Sequence, residues 1–529
     1  MLRLNLHHAT LSMPFPISRF QPILHKKTIM SQLAKKAVAV SFIFQFPDGR
    51  DAKKPRVALF RRSGEVNTYQ HKYAPISGGV EVSDANPLAT AWRELHEETT
   101  LTASSLRLFR QGKPYSFADP QVGRIWTINP FAFILKPAGE ERITIDWEHE
   151  GYKWFDPDEV TDDESFQGVP RLKESLRRVW FDIDLGKDAG GVLAAGLKTL
   201  QEDHESGARQ LASAALDIYL DVIHRIDASD RDTWWKNVRF TAWHLWKNGR
   251  ESMGAPILSV VLSSLSIIEH HLQSSTQTSL SKELIDNICA DIKHLAQQRH
   301  QSGTKIATAF SSFINTTFPF PPTKPLKIVT LSSSSTITAS ISLILESASR
   351  PLDIHILESR PLFEGVSAAR RFSSLIQNNG EHKSSVTIHT DASAALASKD
   401  AHVLLLGADL IDKAGNVSNK TGSLPAVLAA KHVSPDVKVV VLSEKEKVLP
   451  FDPPGHEEND GEELIRGWKG ILGPDVGLQG VSVENVYFEW VPARLVDVYL
   501  TEDGAEGTQH VEAWAQEVQL KAGRFFDHL

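Results

Sequence analysis

The sequence predicts a multidomain chain with three successive textures: a mixed α+β region, an all-helical region, and an α/β region built on a parallel sheet. Three observations carry this. The chain has 529 residues, too many for a single core. From Lys36 to about Phe181, alternating apolar runs surround one amphipathic helix, and from Leu193 to about Asn315 apolar residues recur at helical spacing. Past the proline-rich "TTFPFPPTKPLK", short apolar runs alternate with helical patterns, the order of a sheet wrapped by helices.

Taken in order, the first 29 residues are basic, and the first acid of the chain is Asp48. They read as an upstream extension with translation opening at Met30; a mitochondrial presequence is the alternative. "KAVAVSFIFQF" and "PRVALFRRS" alternate as strands. The helix around Glu94 follows, then the strand-like "GRIWTINPFAFIL" and "RITIDW" and a closing helix "VPRLKESLRRVWF". "GKDAGGVLAAGL" reads as a small-residue junction, and "LASAALDIYLDVIHRI" and "SLSKELIDNICADIKHLAQQ" as helices. "LKIVTL", "DIHILES", "SVTIHT", "HVLLLGA" and "VKVVVLSE" are the strands of the last region, and the acidic "GHEENDGEE" a solvated loop. The expected divisions are a basic extension over 1–35, an α+β domain over 36–185, a helical subdomain over 190–318 and a parallel-sheet domain over 325–529. There is no internal repeat.

A formal charge of -8 gives no reason to expect a nucleic-acid groove or an anionic membrane as partner. Cys289 is the one cysteine, so no internal disulfide forms, and the expected compartment is cytoplasmic, or mitochondrial if residues 1–29 are translated. Its helical setting marks Cys289 as a packing residue, and the same holds for Trp243 and His244. The apolar run "APILSVVLSSLSII" is too short and serine-rich for a bilayer, so no transmembrane segment is expected.

In "GGVEVSDANPLATAWRELHEETTL", Asn86 is a good N-cap, Pro87 suits the first helical position, and Leu88, Ala91, Trp92 and Leu95 form an apolar stripe. Glu94, Glu97 and Glu98 then crowd one side at offsets of three and four, where like charges repel. A divalent cation would offset that repulsion. Together with Gly79, Arg93, Leu95 and Leu101, these residues resemble the Nudix box, and "EHEGYKWFDPDEV" resembles the later strand and loop of Nudix domains. The resemblance implies Mg²⁺ or Mn²⁺ held mainly by Glu97 and Glu98. Glu94 would ligate the metal and orient or deprotonate water, Arg93 would hold Glu97, and Gly79 would face a nucleoside diphosphate derivative. Two positions depart from the family. Its loop-bracing glutamate falls on Ala85, with Asp84 able to substitute only if the loop shifts, and its late glycine falls on Thr100, a milder loss because a helix ends without glycine.

Further on, Ser332, Ser333 and Ser334 in "LSSSST" lie between a strand and a helix, where hydroxyls and N–H groups can cradle phosphate. Arg360 in "ESRP" and Lys420 in "SNK" are candidate phosphate partners, with Asn419 for a sugar hydroxyl. From "DHESGARQLASAAL" to "YFEWVPARLVDVYLTEDG" the chain resembles the alpha, beta and delta subunits of translation initiation factor 2B and the related ribose-1,5-bisphosphate and methylthioribose-1-phosphate isomerases. This implies a Rossmann-like sheet domain after a helical subdomain, a sugar-phosphate ligand, homodimerisation through the sheet domain, and a proton-transfer position at Asp409. The isomerases' cysteine falls at or next to Ser332, which argues for binding without isomerisation. A hydrolase fused to a ligand-binding domain, a noncatalytic regulator and an isomerase therefore all stand as readings.

Overall fold

The computed structural model describes residues 33–46, 55–137, 139–203, 206–274, 277–299, 301–319, 321, 324–347, 349–378, 383–451, 459–472 and 480–529. Residues 1–32 of the basic extension, Met30 included, lie outside them, and the first strand begins at Ala34, before the expected boundary after residue 35. The chain divides into two compact units between Val179 and Trp180, rather than after residue 185.

The first unit is an eight-stranded mixed sheet. Its strands are β1 (Ala34–Gln45), β2 (Arg56–Arg62), β3 (Tyr73–Ala74), β4 (Ile76–Gly79), β5 (Leu106–Gln111), β6 (Tyr115–Asp119), β7 (Arg124–Leu135) and β8 (His149–Phe155), with helix α1 (Pro87–Thr99) after β4. The order β3-β2-β1-β7-β5 is extended by β4 on β1, β6 on β7 and β8 on β2. β1 and β7 run parallel over a long register, from Ala34 opposite Arg124 to Phe44 opposite Ile134. Asn86 caps α1 through a 3.0 Å bond from the Ala89 N–H, and Pro87 opens the helix. Ala91 and Leu95 pack against Ile43, Ala58, Phe60, Ile76 and Phe133, all fully buried. This fixes the carboxylate side of α1 against the glycines of β4.

Two local expectations are corrected. "RITIDW" is no strand: after a 3₁₀ turn at Glu140–Arg142, Thr144 and Asp146 donate to the carbonyls of Thr99 and Glu98 (3.1 and 3.2 Å). The segment satisfies the open end of α1 instead of a neighbouring strand. The closing helix, α2, is only Leu172–Arg177. As expected, α1 ends without a glycine, on Thr100 in the left-handed region at φ 59°.

The second unit opens with α3 (Asp182–Glu202), interrupted at Gly186 (φ 75°), so the small-residue junction is helix. Gly196 is small for a packing reason: a Cβ there would lie 2.5 Å from the Ile218 side chain. Helices α4 (Ala208–Ile223), α5 (Arg231–Asn248), α6 (Gly254–Gln273), α7 (Lys282–Arg299) and α8 (Ser302–Thr317) follow. α6 is 20 residues long and apolar enough to suit a bilayer, contrary to the expectation that the run is too short. Its Ile257, Leu258, Val261 and Leu265 are nevertheless buried in the helical core. Cys289 is 2% exposed and its thiol is pushed up to about 11 by burial. Trp243 and His244 are also core residues, the His244 ring centre 4.2 Å from that of Phe240.

Next comes a seven-stranded sheet interleaved with helices. It contains β9 (Leu326–Leu331), β10 (Leu352–Leu357), β11 (Ser385–His389), β12 (Val403–Leu406), β15 (Lys438–Leu442), β18 (Val498–Thr501) and β19 (Gly504–Glu506). The order is β11-β10-β9-β12-β15-β18-β19, parallel except for the last hairpin. Helices α9 (Ser335–Ser347) and α10 (Glu364–Asn378) start beyond the carboxyl ends of β9 and β10. A second sheet of β13 (Leu410–Asp412), β14 (Val417–Lys420), β16 (Val448–Leu449) and β17 (Phe488–Val491) was not foreseen. Of "GHEENDGEE", residues 455–458 lie outside the described residues, and helical structure begins at Glu462 rather than continuing as loop.

Candidate functional site

In the first unit a cavity of about 330 Å³ is lined by Glu94, Glu148, Gly78, Gly79, Lys36 and Arg62, among others. Gly78 is there because a Cβ would lie 1.8 Å from the Glu94 Cδ: the carboxyl rests on the glycine backbone. Arg93 holds the turn together. It donates to both Asp84 oxygens (3.2 and 3.1 Å), to Gly79 O (3.1 Å), to Glu94 (2.7 Å) and to Glu97 (3.1 Å).

Asp84 also accepts from the Glu81 N–H (3.0 Å) and the Thr90 hydroxyl (2.8 Å). Arg93 first, then these donors, hold its carboxyl well below the usual range. The brace expected to be lost at Ala85, which is exposed, is thus supplied one residue earlier.

The three glutamates do not act as one stripe. Glu97 turns outward, 55% exposed, toward Arg93. Glu98 turns inward, 3% exposed, hydrogen-bonded to Glu94 and, at 2.6 Å, to His149 Nε2. Burial raises the pKa of Glu98 well above the carboxylate range, and Glu148, Glu94 and Asp146 push it further. Glu94 is raised by burial against the pull of Arg93, and Glu148 by burial against Arg62. Burial, then Arg62, lowers His149 to about 4. His149 Nδ1 is buried with no hydrogen-bond partner among the described residues.

No three His, Cys, Asp or Glu side chains among the described residues form a ready coordination cage. The donor set still fits a hard divalent cation: Glu94, Glu98 and Glu148 offer oxygens whose ionisation burial and mutual repulsion oppose, a penalty that a cation removes. Sequence reasoning missed Glu148, His149, Lys36 and Arg62. Lys36 and Arg62 stand beside other basic residues, Lys35 and Arg61, so the sequence alone does not set them apart.

In the second unit a cavity of about 500 Å³ lies beyond the carboxyl ends of the parallel strands, as parallel-sheet topology favours. Ser332, Ser333, Ser334, Asp409, Asn419 and Lys420 all line it. Ser332 (φ 64°) donates its N–H to the Ser359 Oγ at 2.7 Å. Lys420 pairs with Glu364 at 2.9 Å and lies 4.4 Å from the Tyr487 ring centre, while Asn419 donates to Ser423 (2.9 Å). Burial raises Asp409, while Lys447, Lys420 and Arg250 oppose the rise.

Arg209, Arg250, Glu364, Glu444 and Lys447 complete the walls and were not singled out beforehand. They come from several elements of the unit, so no local sequence pattern reveals them. Arg360 is the exception among the expected residues. It does not line this cavity: its side chain is exposed, 5.4 Å from the Phe363 ring centre. The Asp391 carboxylate clamps the N–H groups of Ser359 and Arg360 at 2.8 Å each and so fixes the course of that segment.

Residues 35–179 match the NUDIX domain, and residues 204–507 match the Initiation factor 2 subunit family. The chain is similar to the methylthioribose-1-phosphate isomerase of Heliobacterium modesticaldum, 32% identical over 174 residues, 31% of this chain and 46% of that protein. The Zea mays isomerase is 34% identical over 122 residues, 22% of this chain and 33% of that one. The chain therefore spans less than half the length of these relatives. Among solved structures, the Pyrococcus horikoshii OT3 translation initiation factor eIF-2B aligns with TM-score 0.43 and 19% identity, covering 59% of this chain and 96% of that chain. The tetrameric eIF2B-beta2-delta2 complex from C. thermophilum gives 0.47 and 15%, covering 64% and 97%. With more than half its length matched, the chain belongs to the Initiation factor 2 subunit family and carries a NUDIX domain before that region.

Proposed function

We propose that the first unit is a Mg²⁺-dependent hydrolase of a nucleoside diphosphate linked to another moiety, and that the second binds a sugar phosphate. The observation that carries the hydrolase reading is the hydrogen-bonded Glu94–Glu98 pair, in which Glu98 is buried and Glu94 lines a cavity that also holds Glu148, Lys36 and Arg62. Glu94, Glu98 and Glu148 would hold the cation, with Glu97 joining only by leaving Arg93. When bound, Mg²⁺ neutralises diphosphate charge and lowers the pKa of its water. Lys36 and Arg62 bind the diphosphate oxygens. Arg93 keeps Glu94 oriented to take the proton of the attacking water as a bridging P–O bond breaks. Incubating the full chain with nucleoside diphosphate compounds and Mg²⁺, with products identified by mass spectrometry, tests this. Cleavage lost in Glu98→Gln supports it; no cleavage across the panel favours a noncatalytic regulator.

For the second unit, binding without turnover is the preferred reading, because Ser332 lines the cavity where the isomerases carry a thiol. A serine hydroxyl is a far weaker acid than a thiol of pKa about 8.5. Isomerisation is the second reading, favoured by Asp409 in the cavity wall and by the isomerase relatives. A homodimer through the sheet domain belongs to the proposal and is testable by light scattering.

A further inference from the structure

Resting on the hydrolase reading for the position of the diphosphate, we propose that the far end of the first cavity is a subsite for a planar aromatic ring, built on Phe117, Trp126 and Tyr69. Strand register sets the geometry. Gly79, Val38, Ile128 and Tyr115 form one row across four adjacent strands, and Lys36, Trp126 and Phe117 form the next. Alternate residues share a face, so Arg124, Trp126 and Ile128 all line the cavity, as Tyr115 and Phe117 do. Three inter-strand steps of about 4.8 Å put the strand of Phe117 roughly 14 Å from that of Gly79. Lys36 lies between, its Cε 2.9 Å from where a Gly79 Cβ would be. The cavity thus runs from carboxylates and lysine to aromatic rings, with room for a sugar in between.

These rings stand apart from the core around α1, although Trp126 is largely buried. None of Tyr69, Tyr115, Phe117 and Trp126 belongs to the hydrophobic cluster that packs α1. Their polar edges are bonded to one another: Trp126 Nε1 donates to the Tyr69 hydroxyl (3.1 Å), which donates to Asp119 (2.7 Å). That chain locks ring orientation while leaving apolar faces toward the cavity. Arg124 lies 5.1 Å from the Trp126 ring centre, and Tyr115 and Phe117 are stacked 19° from parallel. Tyr69 adopts φ 52°, a left-handed conformation unusual for an aromatic residue and kept here with its hydroxyl in the chain. An aromatic heterocycle matches such walls through stacking in a way an aliphatic group does not.

The test titrates the full chain carrying Lys420→Ala, which removes a cation of the second cavity, with EDTA present, with adenosine 5′-monophosphate and with ribose 5-phosphate, which carries a C1 hydroxyl in place of the base. The monophosphate should bind roughly tenfold more tightly, as loss of one base-stacking contact predicts. Phe117→Ala should erase the difference, and Phe117→Trp, which keeps a ring, should retain it. Thermal melting checks that each variant is folded, and Phe117→Leu serves if the alanine variant is not. No preference for the monophosphate, or a preference unchanged in both truncations, overturns the subsite. A separate assay of ADP-ribose cleavage with Mg²⁺ reports on the hydrolase reading. Base preference sensitive to Phe117 without cleavage would leave the subsite standing and remove the hydrolase.

Discussion

Asp84 shows why a motif departure need not be a loss of structure. A carboxylate one residue early reaches Nε and Nη2 of Arg93, because the turn also bonds Asp84 to Glu81 and Thr90. Ala85→Glu should therefore change kcat/KM less than about twofold. Asp84→Asn should lower it about tenfold, the usual effect of removing a group that orients a ligand; steady-state kinetics on one substrate compares them. Glu98 supports a second test. Its folded pKa lies above the unfolded one, so near pH 4 both states are largely protonated and the group costs little. As pH rises, the unfolded chain releases the proton more readily than the folded chain, and stability falls. Glutamine removes that cost. Glu98→Gln should stabilise the metal-free protein by on the order of 2 kcal/mol at pH 7–8 and hardly at pH 4, while abolishing cleavage. His149, pushed to about 4, loses stability toward acid in both proteins and so largely cancels in the comparison. Equal melting curves at pH 8 would count against the buried carboxyl.

At the scale of elements, α1 was legible because its signals are local: Asn86, Pro87 and an apolar stripe decide it before any tertiary contact. The central strands were legible as continuous apolar runs. "RITIDW" was not, since alternation does not say which backbone will accept the bonds, and here the end of α1 does. The short strands of the second sheet were invisible because two to four residues carry no period. The inward or outward turn of Glu97 and Glu98 likewise depends on Arg93 and His149, one local and one 51 residues away. Thr100 at φ 59° holds a conformation that costs a β-branched residue about 1–2 kcal/mol, partly recovered through its hydroxyl bond to Arg142 O. Glycine relieves that strain but loses about 0.5–1 kcal/mol to chain entropy. Thr100→Gly should thus stabilise the unit by roughly 0.5 kcal/mol in chemical denaturation, and a lower midpoint would refute the strain account.

On the scale of the whole chain, two cavities of mixed charge share one polypeptide. The first sets Glu94 and Glu148 beside Lys36, Arg62 and Arg124; in the second, Arg209, Arg250, Lys420 and Lys447 share the walls with Glu364, Asp409 and Glu444. Cleavage of a compound such as ADP-ribose in the first would release ribose 5-phosphate, the kind of ligand proposed for the second. Lys420 is the sharpest probe of that link. It is 8% exposed and its charge is held by Glu364, so a phosphate must share or replace that carboxylate. Lys420→Ala removes one charge-assisted bond, about 1.5–3 kcal/mol, and should weaken ribose 5-phosphate binding at least tenfold in calorimetry. Glu364→Gln should strengthen it by removing the competitor. Aldose-to-ketose conversion should be absent, since Ser332 cannot supply the proton exchange of a thiol near neutral pH. Asp409, raised by burial against the pull of Lys447 and Lys420, is the group on which the isomerase reading rests. Conversion by the native chain that disappears in Asp409→Asn would overturn binding without turnover and establish the isomerase reading. Binding lost in Lys420→Ala, with no conversion in either protein, would instead tie the cavity to sensing the product of its neighbour.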